Sequence, residues 1–410
     1  MTARSSSTRR PRIGIALAGG GPLGAIYEIG ALAAMADCMP GLDLNDLDVY
    51  VGVSAGSFVA AGLANGFTPH QMSRLFIEGE SVVDRFDPEQ LLRPATAEFV
   101  QRLRQLPPLA WAAILTYIQR RGGGWRALER MSRAIPTGLL NGDEIDAFLR
   151  RVFEQAGRSN DFRRLQHKLF IVATDLDTGL AVEFGERDTA HVPISRAVQA
   201  SAALPGLFPP VEIDGRYFVD GALRKTLHAS VALERGVDLL LCLNPLVPYD
   251  ATPQPRARAR EHRMNNLVEG GLPVVLSQTF RSIIHSRLDA GMERYRSAYP
   301  HTDIVLLQPN RTDADMFFTN MFSYAGRRRL CEHAYQRTRD ELLLQRRSLA
   351  PRLARHGIRL DTAALRDRDA QLVRHAEQPE PPVLSLRSAT AVRQLEHALD
   401  DLGRWLHAQR

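Results

Sequence analysis

Two glycine-rich turns, each directly behind a short apolar run, constrain this chain more than any other feature. Residues 13–18 (IGIALA) lead into Gly19-Gly20-Gly21-Pro22-Leu23-Gly24, and residues 49–53 (VYVGV) lead into Gly52-Val53-Ser54-Ala55-Gly56. A short apolar run, a tight turn and a stretch of helical periodicity read as strand, turn and helix. Two such units in succession predict a mostly parallel sheet with helices on its faces. Further strand signals fall at 168–173, 181–184, 217–219, 239–243 and 304–307, and helical patterns at 24–36, 55–65, 264–299 and 316–344. With 410 residues, 44% of them hydrophobic, the chain has enough apolar material for one large core.

The second turn carries chemistry. In Gly-x-Ser-x-Gly the serine sits on a strained strand-to-helix turn, and Gly52 and Gly56 let backbone pass close to it. Ser54 is the candidate nucleophile, and the N–H of Ala55 points the same way as its hydroxyl. The Gly19, Gly20, Gly21 and Gly24 turn on the preceding strand can supply further N–H donors, so the two turns together hold a nucleophile and an oxyanion site. Gly19-x-Gly21-x-x-Gly24 also fits a dinucleotide-binding fingerprint, the basis of an alternative reading as a nicotinamide-type oxidoreductase. That motif needs an acid at the end of the second strand. Asp48 lies before that strand, at the wrong end to reach a ribose.

A serine nucleophile needs a base. His228, His285 and His333 follow it, each in a stretch that reads as helical, without turn chemistry around it. The carboxylate alternative is Asp220, in Asp220-Gly221-Ala222 behind the apolar residues 217–219. An aspartate at a strand end can serve as base if it is held within hydrogen-bond reach of the hydroxyl. Asp175 and Asp177 read as turn-capping residues rather than a metal pair.

Together these motifs resemble the patatin-like phospholipases. The resemblance rests on the glycine turn 19–24, the serine turn 52–56, Ala173-Thr174-Asp175-Leu176-Asp177-Thr178-Gly179, the stretch 200–211 and Asp220-Gly221-Ala222, in that order. It implies a three-layer α/β fold with a mostly parallel central sheet, and a Ser54–Asp220 dyad without a catalytic histidine. It also implies an oxyanion hole from the 19–24 turn and Ala55, an acyl-ester lipid such as a phospholipid as substrate, and no cofactor or metal. One position departs from the family pattern. Leu23 stands where the family carries a basic residue, and a catalytically weak or inactive lipid- or partner-binding relative is the alternative this implies.

The resemblance covers about residues 12–245, with 85–160 as a helical, Arg-rich insertion, and 1–11 reads as a disordered tail. Residues 246–375 read as core completion and helix, 376–388 as a Pro/Glu linker, and 389–410 as an amphipathic helix built on Val392, Leu395, Leu399, Leu402 and Leu406. That last helix is either a strut docked on the body or a dimer element. Within the insertion, residues 109–118 (LAWAAILTYI) are flanked by arginines. They suit either peripheral contact with an anionic membrane over 104–125 or a cap packed on the sheet. The net charge of +6 favours anionic surfaces, but all basic residues except Lys168 and Lys225 are arginine, a bias that genome composition also produces. No nucleic-acid partner is indicated. Cys38, Cys242 and Cys331 are widely spaced, as in a reducing compartment, so the expected location is cytoplasmic with peripheral membrane contact.

Overall fold

A computed structural model describes residues 9–79, 137–138, 140–250, 267–318 and 324–373. The 109–118 stretch, the linker and the terminal helix of the sequence reading lie outside these residues. Arg9–Pro11, read as part of the tail, are described, and Arg10 donates to the Asp46 carbonyl at 2.9 Å.

The strands are β1 (Ile13–Leu17), β2 (Val49–Val53), β3 (Lys168–Asp175), β4 (Ala181–Phe184), β5 (Val211–Ile213), β6 (Arg216–Asp220), β7 (Leu239–Leu243) and β8 (Asp303–Leu307). The helices are α1 (Gly21–Cys38), α2 (Ala55–Ala64), α3 (Pro69–Met72, continued by a π-helical turn), α4 (Asp143–Phe153), α5 (Ile194–Ser201), α6 (Ser230–Leu233), α7 (Gly271–Ala298), α8 (Ala314–Phe318), α9 (Tyr324–Ala354) and α10 (Thr362–Arg366). All eight strands form one sheet in the order β5-β6-β3-β2-β1-β7-β8, with β4 beside β3. β2, β1, β7 and β8 run parallel with β3, while β4, β5 and β6 make the antiparallel end.

The central strands are buried on both faces, and their side chains alternate between two cores. Ile15, Leu17, Tyr50, Leu239, Leu241 and Leu243 point into one, with α1, α2 and α9. Ala16, Val51, Val53, Leu240 and Cys242 point into the other, with α6 and the second half of α7 (Leu288, Met292). This is the expected three-layer arrangement. α4 belongs to the larger core through Phe148, Leu149, Val152 and Phe153. The three cysteines are buried and unpaired.

The partition of β3 between its neighbours sets up the site. β4 occupies one edge, with Val182 opposite Ala173. The other edge is shared end to end: β2 pairs as far as Val53 opposite Val172, and β6 takes over with Asp220 opposite Ala173. The residue that closes β6 is therefore set one register step beyond the point where β2 turns away into Ser54.

Glu28 is completely buried on α1, and neither carboxyl oxygen has a hydrogen-bond partner. Burial pushes its pKa well above the usual carboxylate range, against the weaker pull of the Ala18 backbone. An unsatisfied buried polar group costs about 1–3 kcal/mol. Glu28→Met, which keeps the volume, is therefore expected to raise the urea unfolding midpoint; an unchanged or lower midpoint would show that the carboxyl is satisfied in solution.

Candidate functional site

Ser54 caps α2 with φ 52° and ψ −125°, a conformation that costs a non-glycine residue roughly 1–3 kcal/mol and must be held by its surroundings. The holding groups are visible. The Ser54 N–H donates to Ser201 Oγ at 2.8 Å, and Ser201 Oγ in turn donates to the Val172 carbonyl at 2.6 Å. On the helix side the Ser54 carbonyl accepts from Ser57 N at 3.0 Å and from Ser57 Oγ at 2.5 Å. Ser201, at the end of α5, thus ties the serine turn to β3; it falls in the stretch 200–211, where the sequence alone gives no sign of this role.

The Ser54 hydroxyl donates to Asp220 Oδ2 at 2.6 Å. The other carboxylate oxygen, Oδ1, accepts from Ala222 N at 2.8 Å. The Asp220 backbone is fixed on both sides, its N–H donating to the Ala203 carbonyl at 2.9 Å and its carbonyl accepting from Thr174 Oγ1 at 3.2 Å. Burial pushes the Asp220 carboxyl up to about 6, against the opposing pull of the Ser54 and Ala222 hydrogen bonds. A buried carboxylate near neutrality is a stronger base than one with the ordinary value near ~3.9.

The glycine turn sits against this pair. A Cβ on Gly19 would stand 3.0 Å from Ser54 Cβ and 3.1 Å from Ala222 Cβ, so the turn is in contact with both the serine and the aspartate loops. Gly20 and Gly24 lie against Pro245, just beyond β7, and Gly24 N donates to the Gly20 carbonyl at 3.1 Å. Gly21 has φ 60° and opens α1, while Ala55 opens α2, so two helix N-termini with their unsatisfied N–H groups converge beside Ser54. Gly52 and Gly56 are where the chain passes closest to itself, with a Cβ on Gly56 meeting the Leu17 and Ala18 carbonyl oxygens at 2.5 Å. Leu23 is partly buried against the larger core.

The histidines are placed otherwise. His228 is not helical: it has φ 46° in the turn before α6 and is buried, with Nε2 3.2 Å from the Gly221 carbonyl. Because that carbonyl can only accept, Nε2 carries the proton. Burial lowers the pKa of His228 to about 4, so it is neutral and buttresses the Asp220 loop. The helical reading of this residue is corrected: the left-handed turn at His228 falls two residues before α6 begins at Ser230. His285 lies on α7, 3.5 Å from Asp289, and His333 on α9, 2.7 Å from Asp313.

Asp175 caps its turn as expected, with Oδ1 accepting from Asp177 N and Thr178 N at 3.0 and 2.8 Å and Oδ2 accepting from Arg216 Nε at 2.7 Å. Asp48 accepts from Ile13 N at 2.8 Å, at the end of β1 opposite the glycine turn. Tertiary structure also gathers Asp313, Asp315 and His333, with ligand atoms within 4.8 Å of one another, a grouping the sequence spacing does not display. Asp313 is already paired there with His333 and with Arg337 Nε at 3.6 Å. Among the described residues, no helix is long and apolar enough to cross a membrane.

Residues 15–233 match the family described as patatin-like phospholipase. A curated relative, the uncharacterized protein R571 of Acanthamoeba polyphaga mimivirus, is 23% identical over 221 residues, which are 53% of this chain and 60% of that protein. Among solved structures, VipD from Legionella pneumophila is 18% identical, with 82% of this chain and 67% of that chain covered at a TM-score of 0.37. The type III effector protein ExoU is 16% identical, with 85% and 60% covered at 0.32. The chain thus spans 60% of the length of the viral relative and of ExoU.

Proposed function

Because this chain belongs to the patatin-like phospholipase family, we propose that it is a lipid acyl hydrolase working through a Ser54–Asp220 dyad. The observation that carries the reading is the 2.6 Å hydrogen bond from Ser54 Oγ to a buried carboxylate whose pKa is raised to about 6. In the first half-reaction Ser54 Oγ bonds to the ester carbonyl carbon as its proton passes to Asp220. The carbonyl oxygen becomes an oxyanion, held by the N–H groups of Gly20, Gly21 and Ala55. The C–O bond to the alcohol then breaks, and the departing alkoxide takes the proton from Asp220. In the second half, water gives its proton to Asp220 and attacks the acyl-enzyme, and the proton returns to Ser54 Oγ as the fatty acid leaves. The family supplies the expectation that the acyl group comes from a phospholipid or a related lipid ester.

A second reading, a lipid- or partner-binding relative with little turnover, is favoured by Leu23, whose aliphatic side chain packs on the core where a cation would add positive potential. Product analysis separates the two. Incubated with a mixed lipid extract, the protein is expected to release free fatty acid and the matching deacylated lipid, seen by mass spectrometry, and to be labelled by a fluorophosphonate probe. Both signals should vanish in Ser54→Ala. Lipid binding without products or labelling would favour the second reading.

A further inference from the structure

α7 carries its apolar side chains on the wrong face for a helix that only packs on a core. Its inner face is accounted for. Gln278 exchanges hydrogen bonds with the Tyr249 backbone at 3.0 and 2.7 Å, Arg281 lies over the Phe317 ring at 4.8 Å, and Leu288 and Met292 are buried. Leu276, Phe280 and Ile283 recur at spacings of four and three on the opposite side, and they are 47, 44 and 49% exposed, with Val275 beside them at 38%. Single exposed apolar residues are ordinary; a contiguous stripe of them on one helix face marks an interaction surface.

Position and charge identify the occupant. The helix is bound to the loop that follows Asp220: Arg287 donates to the Leu223 carbonyl at 3.1 Å, and Thr226 Oγ1 donates to the Ile284 carbonyl at 3.2 Å. The stripe therefore stands beyond the carboxyl ends of the parallel strands, the end of the sheet that holds Ser54, where Leu176 and Leu180 on the β3–β4 turn are also half exposed. Arg224 and Lys225 lie on the same loop. Between Gly270 and Asp289 the chain has no acidic residue; Arg281 is turned inward on Phe317, but Arg287 is exposed, and Asp289 itself faces His285 at 3.5 Å. An apolar stripe with basic residues along its flank, next to a site that takes lipid esters, matches the interface of an anionic bilayer.

We infer that the outward face of α7 around Leu276, Phe280 and Ile283 docks the protein on an anionic phospholipid surface, presenting the Ser54 end of the sheet to the membrane. The inference rests on the reading of the site as a lipid acyl hydrolase and assigns the membrane contact to a segment other than 104–125. The test compares the wild type with the triple variant Leu276→Ser, Phe280→Ser, Ile283→Ser. Sedimentation with phosphatidylcholine vesicles containing phosphatidylglycerol is expected to show at least a tenfold loss of binding. Hydrolysis of a water-soluble short-chain ester should stay unchanged, which also shows that the variant is folded.

Because the native cysteines are buried, Phe280→Cys can carry an environment-sensitive fluorophore, whose emission should shift to the blue when vesicles are added. Vesicle binding equal in wild type and variant, or a label blind to vesicles, would overturn the docking surface. So would a wild-type dimer that the triple variant splits into monomers. Vesicle binding that depends on the stripe, in a protein that hydrolyses no soluble ester, would uphold docking and sink the dyad reading instead.

Discussion

Asp220→Asn is expected to lower ester turnover roughly 10³-fold while making the protein more stable at pH 7. The first half follows from geometry: the variant keeps an acceptor for Ala222 N but cannot take the Ser54 proton, and a positioned general base contributes about 10²–10⁴-fold. The second half follows from the raised pKa. Folding favours the protonated form, so the stabilisation is complete below the unfolded value of 3.8 and is lost as pH rises towards about 6. Above that range the ionised group costs the folded state on the order of 3 kcal/mol, at 1.36 kcal/mol per unit. Asparagine is never ionised and escapes this cost, which is already net of the Ser54 and Ala222 hydrogen bonds to the carboxylate.

The melting temperature of Asp220→Asn should therefore exceed that of the wild type at pH 7, with the gap closing near pH 4. In the wild type, kcat/KM for a soluble ester should rise with pH and reach its half-maximum near pH 6. A profile centred near 4, or a variant less stable at pH 7 than at pH 4 relative to wild type, would mean that Asp220 is not a desolvated base.

Most of the sheet was legible because its strands are buried on both faces and read as uninterrupted apolar runs bounded by glycine. β5 was not read, being three residues long with an exposed centre, although Asp214-Gly215 after it is a hairpin signal, and both residues adopt positive φ (52° and 74°). At the candidate site, the sequence names the residues whose chemistry is written into a motif and is silent on those that act by tertiary contact. Ser201 reaches Ser54 across 147 positions of sequence, and His228 supports the Asp220 loop from a turn that looks helical in one dimension. The juxtaposition of Ser54 and Asp220 also had no local signal. It arises because β2 and β6 share one edge of β3, a register that spacing along the chain does not encode. The apolar stripe on α7 shows the converse limit: its residues look like core in the sequence, and only the fold shows that they face outwards.

Gly56→Ala is expected to damage stability and activity together, whereas Gly62→Ala on the same helix should do neither. At Gly56 an added methyl meets the Leu17 and Ala18 carbonyl oxygens at 2.5 Å. Those atoms cannot give way, because β1 is held on both sides, Leu17 pairing with Gly52 and with Leu243. The start of α2 must move instead, carrying Ser54 and the Ala55 N–H away from the Gly19 turn. Overpacking of this kind costs roughly 1–3 kcal/mol, and an ångström of displacement at reacting groups costs about 10²-fold in rate. At Gly62 the nearest obstacle is the Met72 sulfur at 2.9 Å, the end of a flexible side chain, and alanine gains about 1 kcal/mol in helix propensity. Urea unfolding and turnover of a soluble ester read both effects. If Gly56→Ala proved as harmless as Gly62→Ala, the close seat of α2 on the end of β1 would not be what aligns Ser54 with the proposed oxyanion donors.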